Sequence, residues 1–175
     1  EIGGYARAVQ SVLAARDTGE LDGIVGTIAE LGQVDEEHAL ALEVAAGARM
    51  QSVVVRDDSV AAEAIAFLKQ HKLGRARFLP LNRLRRYRPG ANALLLVKQS
   101  GAVNFAQELV RFDPRYADAF GNVFGDTVIM RSLDEARSYL GKGRMVTLAG
   151  ELLEAGGAMV GGLPPRSGIH FGSGT

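Results

Sequence analysis

The sequence predicts a mixed α/β (α+β) fold made of two related subdomains. Three observations support this prediction. Segments with helical periodicity alternate with short apolar runs, the helical segments begin at Asp or Ser and end at Gly, and one such unit recurs later in the chain. Apolar residues make up 47% of the 175 residues, which is enough to build a substantial core.

The first subdomain is predicted over residues 19–81, after a helical stub at 1–18 whose apolar periodicity is clearest at 5–16. Asp35 is the cap candidate of one helix, and Asp58 or Ser59 that of the next. The expected elements are, in order, a strand at 24–31 that contains a glycine, a helix at 35–47, a buried strand at 50–55, a helix at 58–74 and a strand at 75–81 that Pro80 places at an edge or an end.

The second subdomain is predicted over residues 99–163 because the chain repeats itself. Residues 34–47 align without gaps with residues 112–125, which are 78 positions later, and Asp and Gly recur at matching places. Each copy then continues with an apolar strand, a capped helix and a further strand. We predict a basic linker at 82–98 between the two subdomains and a flexible tail at 164–175.

Several classes of function lack support in the sequence. There is no cysteine, and His38, His71 and His170 lack ligand-like spacing, so we expect no metal site. There is no phosphate-loop motif and no nucleophile motif, and the paired acids lie where helices begin. No apolar run is long enough to span a membrane. We therefore expect a protein without catalytic residues or a cofactor, in the cytoplasm.

A glycine-rich stretch, GELLEAGGAMVGG, occupies residues 150–162 and contains five glycines. If residues 156–162 form a strand, both faces of that strand are nearly bare at its ends, so another backbone can approach closely. One interpretation is a bulge or sharp turn inside the fold. The other is an edge strand that pairs with a second chain, with apolar burial by Met159 and Val160. The interface candidates are Gly150, Gly156, Gly157, Met159, Val160, Gly161 and Gly162.

Charge is distributed unevenly along a chain whose net charge is zero. Residues 1–63 carry 4 basic and 12 acidic residues, whereas residues 64–107 carry 9 basic residues and no acidic one. Such a run predicts contact with DNA phosphates that is independent of the DNA sequence. Tyr87 is available to stack on an unpaired base. The alternative is a solvated loop that pairs with the acidic first third. The candidate DNA-binding residues are Lys69, Lys72, Arg75, Arg77, Arg83, Arg85, Arg86 and Arg88.

These features together resemble the hinge domain of SMC (structural maintenance of chromosomes) proteins, of prokaryotic type. The resemblance covers nearly the whole chain and includes GYARAVQSVL, GIVGTIAEL, AIAFLKQHKLGRARFLPL, FDPRYADAF and VTLAGELLEAGGAMVGG. It implies two related subdomains, each a small mixed sheet with flanking helices, in a doughnut-shaped dimer. It also implies that the glycine-rich strand lies at the dimer interface.

The resemblance further implies a function. The hinge of an SMC protein joins two coiled-coil arms whose far ends are ATPase heads, and the assembly acts on chromosomal DNA in condensation and segregation. The expected partners are a second copy of the chain, DNA and, at the heads, kleisin-type subunits, with localisation at the nucleoid. We prefer a homodimer to pairing with a paralogue. The alternative function is a two-lobed α/β domain that binds a nucleotide or another small ligand.

Overall fold

Alternating helices and strands are the main feature of the computed structural model, which describes residues 2–164 and 168–173. The remaining positions of the predicted tail lie outside the described residues. Short 3-10 turns at Gly47–Gln51, Ala106–Leu109 and Pro114–Tyr116 supplement the helices. The α-helices are α1 (Ile2–Thr18), α2 (Ile28–Leu31), α3 (Glu36–Ala46), α4 (Asp58–Gln70), α5 (Ala91–Leu96), α6 (Ala117–Phe124) and α7 (Leu133–Arg137).

Three small sheets contain the strands of the described residues. The first has the order β1-β3-β4, the second β10-β9-β8-β7-β5, and the third β11-β2-β6. The strands are β1 (Ile24–Thr27), β2 (Gln33–Val34), β3 (Val53–Val55), β4 (Phe78–Pro80), β5 (Ala102–Phe105), β6 (Val110–Arg111), β7 (Val128–Met130), β8 (Met145–Thr147), β9 (Leu152–Leu153), β10 (Met159–Val160) and β11 (Gly172–Ser173).

The repeat in the sequence is a repeat in the structure. In the first half β3 pairs antiparallel with β1 and parallel with β4, and in the second half β7 pairs in the same ways with β5 and β8. A register shift lies between Ile24 and Gly26 in one half and between Ala102 and Asn104 in the other, again 78 positions apart. The prediction of two related subdomains is therefore confirmed.

The side chains of each central strand alternate between two cores. Val54 of β3 and Ile129 of β7 face a shared core that also contains α3 and α6. Their neighbours on the same strands face outward, to a core under α1 and α4 in the first half and to one under α5 and α7 in the second. This alternation follows from the period of a strand, and it places α3 and α6 between the two sheets.

The third sheet joins the two halves and includes the end of the chain. Strand β2 pairs antiparallel with β6, and β11 adds to the other side of β2 in a parallel orientation. Phe171 precedes β11, is only 6% exposed and packs in the shared core, where its ring lies 6.2 Å from that of Phe124. Residues 168–173, which we predict to be part of a flexible tail, are thus fixed by core packing.

Several local predictions need correction. The predicted strand at 24–31 ends at Thr27, because the Thr27 hydroxyl and the Glu30 carboxylate form a capping box that starts α2. Helix α4 is capped by Asp57 rather than Asp58 or Ser59, and its carboxylate accepts from the Val60 N–H at 2.9 Å. A hydrogen bond from the Ser59 hydroxyl, followed by this bond from Val60, lowers the pKa of Asp57 to about 2.

The predicted basic linker also contains regular structure. Helix α5 lies inside it, and Leu96 of that helix is buried in the outer core of the second half. Residues 91–96 therefore pack with the second subdomain, whereas residues 81–90 have no regular secondary structure. Within the described residues, no helix combines the length and the apolar character that crossing a bilayer requires.

Candidate self-association edge and basic surface

Strand β10 forms one edge of the five-stranded sheet. It pairs with β9 in a hairpin whose turn is closed by two bonds, from Glu154 N to Ala158 O at 2.8 Å and from Gly157 N to Glu154 O at 2.9 Å. Gly157 has a φ of 103°, which a residue with a side chain rarely adopts. The predicted strand at 156–162 is therefore shorter than expected, because Gly156 and Gly157 form the turn.

The outer side of β10 is apolar and accessible. Met159 is 47% exposed, Val160 is 53% exposed, and Leu163 just beyond the strand is 98% exposed. In an antiparallel ladder, bonded and non-bonded pairs alternate. Glu154 and Ala158 form a hydrogen-bonded backbone pair, so the next pair along the ladder, Leu153 and Met159, is a non-hydrogen-bonded pair. The N–H and C=O of Met159 therefore point away from β9, where a further strand can bind them.

Gly150 has a different role from the other glycines of the stretch. It ends a turn after β8, with a φ of 92°, and its N–H donates to Thr147 O at 2.9 Å. A methyl group on Gly150 would lie 3.3 Å from Leu40 Cγ on α3. Gly150 thus lets this turn approach the first half of the protein, and it does not lie on the edge formed by β10.

The predicted DNA-binding residues divide into two groups. Seven of the eight are exposed, and Arg77 is half-buried. Arg83 lies 3.7 Å from Asp58, which is an exposed ion pair of little energetic weight. The side chains of Arg85, Arg86 and Arg88 make no hydrogen bond or ion pair with the described residues, and together with Gly121 and Asn122 they border a cavity of about 330 Å³.

Tyr87 anchors this basic segment to the second half of the protein. Its hydroxyl donates to Asp126 Oδ1 at 2.6 Å, and its backbone N–H lies 3.4 Å from Asp118 Oδ1. Burial, followed by the bond and charge of Asp126, raises the pKa of Tyr87 well above its usual range. The hypothesis that Tyr87 stacks on an unpaired base is not favoured by this geometry, because the phenol is held against α6.

Gly121 provides a direct test of this anchor. A methyl group at Gly121 would lie 2.4 Å from Tyr87 Cβ and 2.7 Å from Tyr87 Cγ, so either the loop or α6 must move. We expect Gly121→Ala to destabilise the protein by about 1 to 3 kcal/mol in urea unfolding, as overpacking usually does. The control is Ala117→Ser, at the exposed start of α6, which should change the stability little. Gly47→Ser would not serve as a control because the φ of Gly47 is positive. Unchanged stability in Gly121→Ala would show that Tyr87 does not pack on α6.

Two arginines occupy equivalent places in the two halves. Arg77 precedes β4 and Arg144 precedes β8, and each backbone carbonyl accepts from the first residue of the neighbouring strand. Arg77 Nη1 donates to Ser52 Oγ at 3.1 Å, and Arg144 Nη1 donates to Thr127 Oγ1 at 2.6 Å. Each hydroxyl thus belongs to the residue just before the central strand of its own half.

Each of these arginines also binds the opposite half. Arg77 Nη2 donates to Asn122 Oδ1 on α6 at 2.5 Å, and Arg144 Nη1 donates to Ala45 O near the end of α3 at 3.1 Å. A cation at a helix C-terminus is favourable because the last carbonyls lack intrahelical partners. Sequence reasoning missed Arg144, Asn122 and Thr127, and it assigned Arg77 to DNA. The sequence carries a signal for Thr127, because Ser52 and Thr127 are both hydroxyl residues directly before a central strand.

A cluster of possible metal ligands forms where none was expected. One ligand atom from each of Asp35, Glu37 and His38 lies within 4.8 Å of the others. Asp35 is engaged by Arg111, whose Nη1 lies 2.8 Å from Asp35 Oδ1. Because exposed acids next to an arginine are ordinary surface features, we assign no ion to this group.

Comparison with known proteins identifies the family of this fold. The family described as the SMC proteins flexible hinge domain matches residues 21–140. This chain belongs to the SMC hinge family. A chromosome partition protein Smc of Gloeobacter violaceus is 51% identical to the hinge domain over 157 residues. That region is 90% of this chain but only 13% of the length of the relative. The chain likewise covers only 13% of the length of a second Smc, of Synechocystis.

Solved structures of hinge domains share the fold. An asymmetric dimer of the Geobacillus stearothermophilus SMC hinge domain matches with a TM-score of 0.82 and 34% identity, over 91% of this chain and 66% of that one. The Pyrococcus furiosus SMC protein hinge domain matches with a TM-score of 0.71 and 39% identity, over 94% of this chain and 92% of that one. The predicted resemblance to SMC hinges is therefore confirmed.

Proposed function

We propose that this hinge domain is the dimerisation module of a chromosome partition SMC protein, and that it pairs through the edge formed by β10. The carrying observation is that the backbone of Met159 points away from β9, next to the exposed side chains of Met159, Val160 and Leu163. The similarity to a hinge solved as a dimer supports this proposal. The light-scattering mass of an edge variant is the direct test.

The glycines contribute to this pairing in two ways. Gly157 and Gly162 have φ values of 103° and 113°, so they shape the chain on either side of β10. Gly156 and Gly161 do not have such values, and a methyl group on Gly156 would meet nothing within 4 Å in one protomer. Bare positions beside a short edge strand allow a partner strand to approach to ordinary sheet distance.

Other features of the proposal concern the parent protein. The partner at the edge is a second copy of this chain, and the hinge joins two coiled-coil arms, of which α1 is the start of one. The ATPase heads belong to the rest of the SMC protein. Kleisin-type subunits are partners that bind these heads, and the assembly lies at the nucleoid. The family assignment favours this function over the alternative of a nucleotide-binding domain, and the hinge itself needs no catalytic group.

The basic segment is proposed to contact DNA. Arg85, Arg86 and Arg88 extend from a loop that Tyr87 holds in place, and no described carboxylate pairs with them. A fixed loop with free guanidinium groups binds phosphates at a small entropic cost. Lys69, Lys72, Arg75 and Arg83 add exposed charge along the same stretch of chain.

We expect Arg85/Arg86/Arg88→Glu to lower the affinity for duplex DNA at least tenfold. The slope of log K against log salt should fall by about 2 to 3, since each phosphate contact contributes roughly 0.9. Fluorescence anisotropy at four salt concentrations measures both quantities. The matched control is Arg131/Arg137/Lys142→Glu, which makes the same change in net charge on exposed residues of the second half. An equal loss in both variants would indicate a general charge effect and would contradict this contact.

A further inference from the structure

Three arginines converge where the two halves of the protein meet. Arg49, on the 3-10 turn after α3, borders a cavity of about 270 Å³ together with Arg77 and Tyr5. The same Arg49 borders a second cavity, of about 500 Å³, together with Arg144 and Asn122. Arg49 therefore lies between the two equivalent arginines, and the two cavities, which share Ala48 and Arg49 in their lining, are together called the junction groove.

The positive charge of the junction groove is poorly compensated. Burial lowers the pKa of both Arg77 and Arg144, and the nearby charge of Arg49 lowers both further. None of the three arginines forms an ion pair with a carboxylate of the described residues. Glu154 acts on Arg144 only from a distance, and the Asp126 carboxylate at the rim already accepts from the Tyr87 hydroxyl and from Gly90 N at 3.2 Å.

The groove also retains unused hydrogen-bond donors. A guanidinium has five N–H groups, and Arg144 donates to protein acceptors only through Nη1. The Nε and Nη2 groups of Arg144 meet no acceptor among the described residues. Arg49 is exposed and makes no hydrogen bond through its side chain there, so its whole donor set is available.

We propose that the junction groove is a binding site for a phosphate group, held by Arg49, Arg77 and Arg144 together with the Asn122 amide. Planar guanidinium groups match the geometry of a tetrahedral oxyanion, and several of them around one anion offset its desolvation. Because Arg77 and Arg144 each bind both halves of the protein, an anion between them strengthens the contact between the subdomains. This inference goes beyond the proposed function and requires neither DNA contact by the basic segment nor pairing through β10.

The phosphate can come from two sources, namely the backbone of DNA or a free phosphate compound such as pyrophosphate. Thermal unfolding of the hinge domain with pyrophosphate, at constant ionic strength against chloride, tests the site itself. At about a hundredfold excess over Kd we expect the midpoint to rise by roughly 5 to 10 °C in the wild type. Anisotropy with a 20-base-pair duplex then distinguishes the sources.

Arg49→Ala is the decisive variant because Arg49 is exposed and its removal relieves repulsion. In chloride we expect the Arg49→Ala variant to be at least as stable as the wild type. In pyrophosphate its unfolding midpoint should rise much less than that of the wild type. Arg49→Lys should keep part of it, and the control Arg137→Ala, on α7 at the opposite face of the sheet, should keep all of it. Loss of duplex affinity in Arg49→Ala would identify DNA as the source, and unchanged duplex affinity would identify a free anion.

An equal rise of the unfolding midpoint in the wild type and in Arg49→Ala would reflect exclusion of the salt from the protein surface and would overturn the proposal.

Discussion

Met159→Lys should convert a dimer of about 37 kDa into the 18.6 kDa monomer in light scattering after size exclusion. A lysine on a two-residue edge strand must bury its charge or leave the edge when another strand pairs there, and natural edges are protected in this way. The side chain is about half exposed in one protomer, so the fold itself should tolerate the change. Circular dichroism verifies that the variant is folded.

Ile65→Lys is the matched control for this experiment. Ile65 lies on α4 and is 46% exposed, against 47% for Met159, so the two variants differ in location and hardly in exposure. A monomer in both variants would indicate a general effect of added charge. A dimer in both would place the interface away from β10.

The glycines need a more selective substitution than alanine at all four positions of the two Gly-Gly pairs. Alanine at Gly157 or Gly162 is strained by the positive φ, so a quadruple variant changes the hairpin as well as the surface. Gly156→Ala with Gly161→Ala avoids this strain, because the nearest atom to either added methyl group is Glu151 Cγ at 3.3 Å, on a flexible side chain. This double variant should weaken dimerisation while the protein stays folded.

Phe171→Ala should lower the free energy of unfolding by about 3 kcal/mol in urea denaturation. The ring is 6% exposed and packs with Phe124 and beside Gly32, where a methyl group would lie 3.0 Å from Phe171 Cε1. Its removal leaves a cavity in the core shared by both halves and releases the residues that position β11. Leu95→Ala is the control, since Leu95 on α5 is 63% exposed and its truncation should change stability by less than about 0.5 kcal/mol. Equal stability in the two variants would show that residues 168–173 do not contribute to the core.

Apolar periodicity and helix end signals in the sequence predicted the longer helices and the repeat. The helices α3 and α4 follow from their periodicity, although Asp57 rather than the predicted residue caps α4. The repeat predicts the second half because the gapless offset preserves both the Asp before the helix and the terminal glycine. Strand β11 is different. Two residues, Gly172 and Ser173, have no period to detect, and their pairing with β2 depends on a contact 139 positions away in the chain.

The candidate site shows the same division. Glycine content indicated an edge, and β10 lies at an edge, but the sequence does not distinguish glycines that turn the chain from glycines that leave a surface bare. Charge content indicated an anionic partner, but Arg77 bonds with Ser52 and Asn122. Long-range hydrogen bonds of this kind leave no periodic trace. The equivalence of Arg77 and Arg144 comes from the pairing of the strands that follow them, because the two residues do not share the offset of 78 positions.

This correspondence has a consequence for the origin of the domain. Gly47 and Gly125 share one backbone conformation, with φ and ψ of 56° and −137° in one and 55° and −137° in the other. Each half presents an arginine to the other and receives one in return, which is the arrangement that a two-fold axis produces. An ancestral half-length polypeptide that paired with itself would already have this contact twice. Joining two such partners in one chain requires no new interface between them.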